Sequence, residues 1–90
     1  MKSAYELAME RLGGTREYSD DVKRALADID DTYEAHKAEA RIRAEDAIKR
    51  AAGDSEKQDQ IREELSRDIM RFDERKETEK NKVRRAEETG

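Results

Sequence analysis

Apolar residues return along this chain in a fixed order of steps. From Val22 they fall at Val22, Leu26, Ile29, Tyr33, Ala40, Ala44, Ile48 and Ala51, and with Lys37 filling the one gap the steps are 4, 3, 4, 4, 3, 4, 4, 3. Residues three and four apart share one face of a helix, so this spacing predicts a long amphipathic helix. The repeat is eleven residues rather than seven, because a strict heptad would bring His36 and Arg43 into the stripe. A seam of that period runs nearly straight or coils slightly to the right. A second stripe, Ile61, Leu65, Ile69 and Phe72, continues through Lys76 and Glu79 to Val83 and Ala86, apolar first and polar afterwards. A shorter stripe of Tyr5, Ala8, Met9 and Leu12 precedes both.

Helix punctuation sets the bounds. Ser19 suits an N-cap, and Asp20 and Asp21 place negative charge on the first turn, where the helix dipole favours it. At the centre Gly53 suits a left-handed C-cap, and Ser55 with Gln58 matches the S-x-x-Q capping box. Ser3 with Glu6 forms another capping box, and Gly13-Gly14 end that short helix. The expected elements are helices over 3–12, 19–52 and 55–88, within one all-α domain covering 1–90. In-helix pairs Asp20/Arg24, Glu39/Arg43, Glu45/Lys49, Asp46/Arg50 and Glu63/Arg67 have the acid-before-base order that supports a helix at i,i+4.

Gly53 alone does not decide between a turn and one continuous rod, since a glycine costs a helix only about 1 kcal/mol. Charge decides it. Residues 19–35 sum to −4 and residues 75–85 to +4, while residues 36–53 sum to +2 and residues 54–68 to −3. Both halves are complementary if the chain folds back at 53–54, whereas other arrangements stack like charges. The expected fold is therefore a long antiparallel two-helix hairpin, coiled-coil-like, with positions adding to about 107 lying level. The stripe Val22, Leu26, Ile29 and Tyr33 then faces Lys76, Glu79 and Lys80, which leaves it under-covered. The short helix carrying Tyr5, Met9 and Leu12 is expected to pack at this open end, over Leu26 and Ile29, the alternative being that a second protomer or a partner covers the same patch.

Composition changes the picture in one respect. With 33% apolar and 49% charged residues in a 90-residue chain, no large core can form, and a two-helix seam covers its apolar side chains only in part. Self-association is the expected remedy. Ile42 and Met70 stand off the main stripes and are candidate contacts between protomers. The N-terminal stretch contains no continuous apolar run, so no signal peptide or membrane span is expected and a cytoplasmic location is.

Chemistry is sparse. There is no Cys and one His, and His36 lacks the Glu-x-x-His context of di-iron bundles. Asp28, Asp30 and Asp31 lack the glycine and terminal glutamate of a calcium loop and read as a solvated acidic face. Gly13-Gly14-Thr15 lacks the Lys-Ser/Thr of a phosphate loop. No catalytic, cofactor or metal site is expected, and no enzyme. The run KNKVRR, with Lys80, Lys82, Arg84 and Arg85, supports an alternative in which the chain binds nucleic acid or the ribosome. Against it stand the net charge of −4 and the lack of interleaved aromatics.

The opening KSAYELAMERL, residues 2–12, followed by a Gly-containing link and a charged hairpin, resembles small uncharacterised bacterial coiled-coil proteins. No activity comes with that resemblance. It implies only that the N-terminal helix is a candidate recognition element. The expectation is a non-enzymatic protein–protein interaction module, a small scaffold, adaptor or regulator, whose partner is a second copy or another protein.

Overall fold

The computed structural model describes Ala4 and residues 18–89. Two antiparallel helices form the hairpin, α1 over Asp20–Arg50 and α2 over Ser55–Thr89. Among the described residues there is no strand. The expected helix over 3–12, with Tyr5, Met9 and Leu12, lies outside the described residues. Helices of 31 and 35 residues rise about 1.5 Å per residue, which makes the hairpin an arm about 50 Å long.

The α1 seam is the stripe read from the sequence. Tyr33, Lys37, Ala44 and Ala51 are buried, and Val22, Leu26, Ile29, Ala40 and Ile48 are half-buried between them. On α2 the covered line is Gln58, Ile61, Leu65, Ile69, Phe72, Lys76, Lys80 and Val83. Two expected members differ, since Glu79 and Ala86 are exposed and Lys80 takes the place given to Glu79. The eleven-residue step order carries on from Phe72 to Lys76, Lys80 and Val83. Lys80 also has a carboxylate to meet across the seam, which Glu79 would not.

Level positions confirm the register. Ile48 with Gln58 and Ser19 with Glu87 each add to 106, and Lys37 with Asp73 and Asp30 with Lys80 each add to 110. The expected 107 lies between them. Charges that were complementary by segment become particular bonds in the outer half, where Lys80 Nζ lies 2.9 Å and 3.1 Å from the two Asp30 oxygens. Among the expected in-helix pairs, Glu39–Arg43 closes to 3.9 Å and Asp46–Arg50 to 2.7 Å.

The helix ends are capped as follows. The Val22 N–H donates to Ser19 Oγ at 3.2 Å, as a serine N-cap should. α1 ends at Ala51, whose N–H reaches the carbonyls of Ala47 and Ile48, and Gly53 turns the chain with φ +89. The Ser55–Gln58 capping box does not form. Asp54 caps α2 instead, its Oδ1 accepting from the Lys57 N–H at 3.1 Å. Gln58 Nε2 is thereby left to donate across the turn to the Ile48 carbonyl at 3.0 Å, giving that last-turn carbonyl a second donor beside the Ala51 N–H.

Candidate functional site

The two flanks of the seam differ. At about 100° per residue, Asp30 and Glu34 lie on one side of the Tyr33–Lys37–Ala44 line, and His36, Arg43 and Ala47 on the other. On α2, Asp73 and Lys80 lie to one side of Leu65, Phe72 and Lys76, with Glu64 and Asp68 opposite. The first flank carries ion pairs between the helices and the second carries an open groove.

The ion-pair flank is built around Lys37. Only 7% exposed, it donates to Asp73 Oδ1 at 2.8 Å and meets Glu34 at 2.8 Å. Lys76 approaches the same Asp73 oxygen at 3.6 Å. One helical step outward, Lys80 joins Asp30. These bonds shift the groups that make them. Hydrogen bonding from Lys80, helped by its charge, holds Asp30 below its ordinary 3.8, and Lys37 does the same for Asp73. Glu34 is lowered by Lys37, and Lys37 is raised by Asp73 first and Glu34 second. Burial raises Tyr33, with a further contribution from Glu79.

The groove flank has an apolar floor of Ala40, Ala44, Ala47, Ile61, Leu65 and Phe72, rimmed by Glu39, Arg43, Glu64 and Asp68. Its outer end is closed by His36, exposed and lying almost flat on Phe72 with ring centres 5.6 Å apart and planes at 18°. Tyr33 meets His36 edge-on at 5.7 Å and 71°. Among the described residues no group of three His, Cys, Asp or Glu is placed to hold a metal ion, and no helix is long and apolar enough to cross a membrane.

The other sequence candidates separate clearly. Leu26 and Ile29 are half-buried in the seam. Ile42 at 65% and Met70 at 63% exposure are the large apolar side chains left open, both on outward helix faces away from the groove. Asp28 and Asp31 are exposed, while Asp30 belongs to the seam. Within the basic run, Lys80 is held by Asp30, and Arg84 donates to Asn81 at 2.9 Å and lies 3.8 Å from Glu77. Lys82 and Arg85 are exposed. At least two of the four bases proposed for phosphate contact are thus engaged by the hairpin itself.

Sequence reasoning missed Asp73, Asp54 and the reach of Gln58. The first had a usable signal, because a lysine at a seam position requires a carboxylate from the facing helix, and Asp68 and Asp73 are the two acids near that level. Comparison with protein-family models, curated proteins and solved structures returns no match.

Proposed function

We propose that this chain is a non-enzymatic protein–protein interaction module, a small scaffold, adaptor or regulator, which presents a charged helical hairpin and associates with itself. The observation that carries this reading is the incomplete cover of the seam: among the described residues no large side chain is fully buried, although Ile48, Ile61, Leu65 and Phe72 all lie on it. Two helices alone leave much of the apolar area wet, and each fully buried Leu, Ile or Phe would contribute about 1.5–3 kcal/mol. A further polypeptide laid on the groove or on the outer faces recovers part of it. The arm suits such docking because its charges alternate, which keeps its outer faces hydrated when alone and selects the orientation of what binds.

Light scattering coupled to size exclusion over a hundredfold concentration range, with circular dichroism on the same samples, tests this reading. The expected result is a dimer whose helicity falls as it dissociates on dilution. A highly helical monomer at every concentration would overturn self-association and leave the outer faces to a different protein.

A further inference from the structure

We propose that the second copy associates by exchanging α2: two chains straighten at Gly53 and pair antiparallel, so that each α1 receives the other chain's α2 on the seam it now gives its own. This inference rests on the self-association proposed above and gives it one route; the exchanged seam buries the same residues and leaves the groove open, so what exchange gains lies at the straightened turn.

The turn is already close to a helix. Ala51 N–H bonds to the Ala47 carbonyl at 3.0 Å, Ala52 to Lys49 at 3.2 Å and Asp54 to Ala51 at 3.0 Å, all short-range helical or 3₁₀-like bonds. Among the described residues, Gly53 alone has positive φ, at +89. The residues around it, Ala51, Ala52 and Gly53, are small enough for two straight helices to cross closely there. A Cβ built on Gly53 would meet nothing within 4 Å, so there is room for a side chain there, and the positive φ is what a residue other than glycine would resist.

The seams permit the exchange. Ala51 and Gln58, the last and first covered residues of the two helices, are seven apart, which in a continuous helix leaves them about 20° from alignment. Ala44 and Leu65 differ by about 60°, a sixth of a turn. Cross-seam contacts far from the turn, Lys37–Asp73, Asp30–Lys80, Tyr33–Phe72 and Ser19–Glu87, join separate helices and re-form unchanged between chains. What changes lies at the turn. The Asp54 cap on the Lys57 N–H and the Gln58 bond to Ile48 are exchanged for the backbone bonds of a helix that no longer ends. Exchange of an identical element is a low-cost route to a dimer when the hinge is short.

Two measurements on the full chain test the proposal. Gly53→Ala disfavours the positive-φ turn and favours the straight helix, so it should shift the balance about 30-fold per chain, and the dimer dissociation constant should fall on the order of a thousandfold. The second measurement mixes an Asp30→Lys chain with a Lys80→Asp chain. Each alone places like charges across its own seam. Exchange sets the new lysine of the first chain against the new aspartate of the second, and the second chain's Asp30 against the first chain's Lys80, so both cross-seam pairs are again of opposite charge. The mixture should therefore form a heterodimer that melts above either chain alone. Dimers that neither tighten with Gly53→Ala nor gain stability on mixing would overturn exchange while leaving self-association in place, through packing of intact hairpins. A wild-type chain that is monomeric at every concentration, with Gly53→Ala equally monomeric, would overturn both.

Discussion

Replacing Leu65 by Asp is expected to destabilise the hairpin by about 2–4 kcal/mol, combining the lost burial of a half-covered leucine with the desolvation of a carboxylate on an apolar floor. For a unit of this size that is a fall in melting temperature on the order of 10–25 °C. Ala40, Ala44 and Ala47 line the floor beside Leu65, and none supplies a polar side chain. The nearest acids, Glu64 and Asp68, make the site more hostile to a new negative charge. The control is Ile42→Asp, level with Leu65 along the arm but on the outward face at 65% exposure. That change should alter the monomer's stability by less than about 0.5 kcal/mol, as surface substitutions do. Thermal melts followed at the helical dichroism bands measure both, at a concentration low enough that association does not contribute. Equal effects of the two substitutions would contradict the seam as described.

Acid is expected to loosen the hairpin from its open end. Asp30, Glu34 and Asp73 are held below ordinary values of 3.8, 4.5 and 3.8 by Lys80 and Lys37. A carboxylate lowered by folding stabilises the fold above its unfolded value and loses that contribution as pH falls through its folded value, so the loss begins near pH 4.5 and deepens below 3.8. The alkaline side has the opposite origin. Lys37 is raised above 10.5, so its contribution is complete below that value and disappears as pH climbs through its folded value. Tyr33 is raised above 10.0, so the unfolded chain ionises first and gains on the folded one beyond that pH. The melting temperature should therefore be flat between about pH 5 and 9.5 and fall on either side. Asp73→Asn should lower the plateau and flatten the acid arm, because the amide has no proton to gain. An acid arm of unchanged slope in that variant would mean that the Lys37 contact does not form in solution. One interhelical clasp, Asp30–Lys80, lies in the outer half and the other, Lys37–Asp73, at mid-arm, and beyond it Lys76 and Lys80 replace apolar residues on α2. The half nearer the turn, held by Ala44, Ile48, Ala51, Ile61 and Leu65, should keep its helicity to lower pH.

Most of the architecture was legible because the two relevant signals are periodic. Step order alone placed Lys37 on the α1 seam among Tyr33, Ala40 and Ala44, and the sign of charge by segment required the fold-back. Local choices were less legible. Asp54 and Ser55 are adjacent and both cap well, and which one caps depends on how the chain leaves Gly53. That geometry released Gln58 for Ile48, a contact no capping rule anticipates. Glu79 and Lys80 were likewise alternatives for one seam place. Lys80 occupies it because Asp30 faces it and its long aliphatic stem can lie along the seam while the ammonium reaches that carboxylate. The candidate interaction surface was legible only in its outward members, Ile42 and Met70. The groove depends on three alanines in a row on α1 meeting Leu65 and Phe72 on α2, and on His36 turning onto Phe72, which requires the relative rotation of two helices.

α1 and α2 lie antiparallel with positions adding to about 107 at the same level, and a distance across the hairpin tests this directly. Because the chain has no cysteine, Asp31→Cys and Glu77→Cys, both at exposed positions, can carry spin labels with no background. Pulsed dipolar spectroscopy then reads the distance between them, with labelled chain diluted in unlabelled chain so that only pairs within one molecule are seen. In the hairpin the two backbones are neighbours, about 10 Å apart, and the labels should report roughly 15–30 Å. A chain running straight through Gly53 would place the same positions about 69 Å apart, from 46 residues at 1.5 Å each. A single short distance in dilute monomer is the predicted result, and a long distance there would contradict the account.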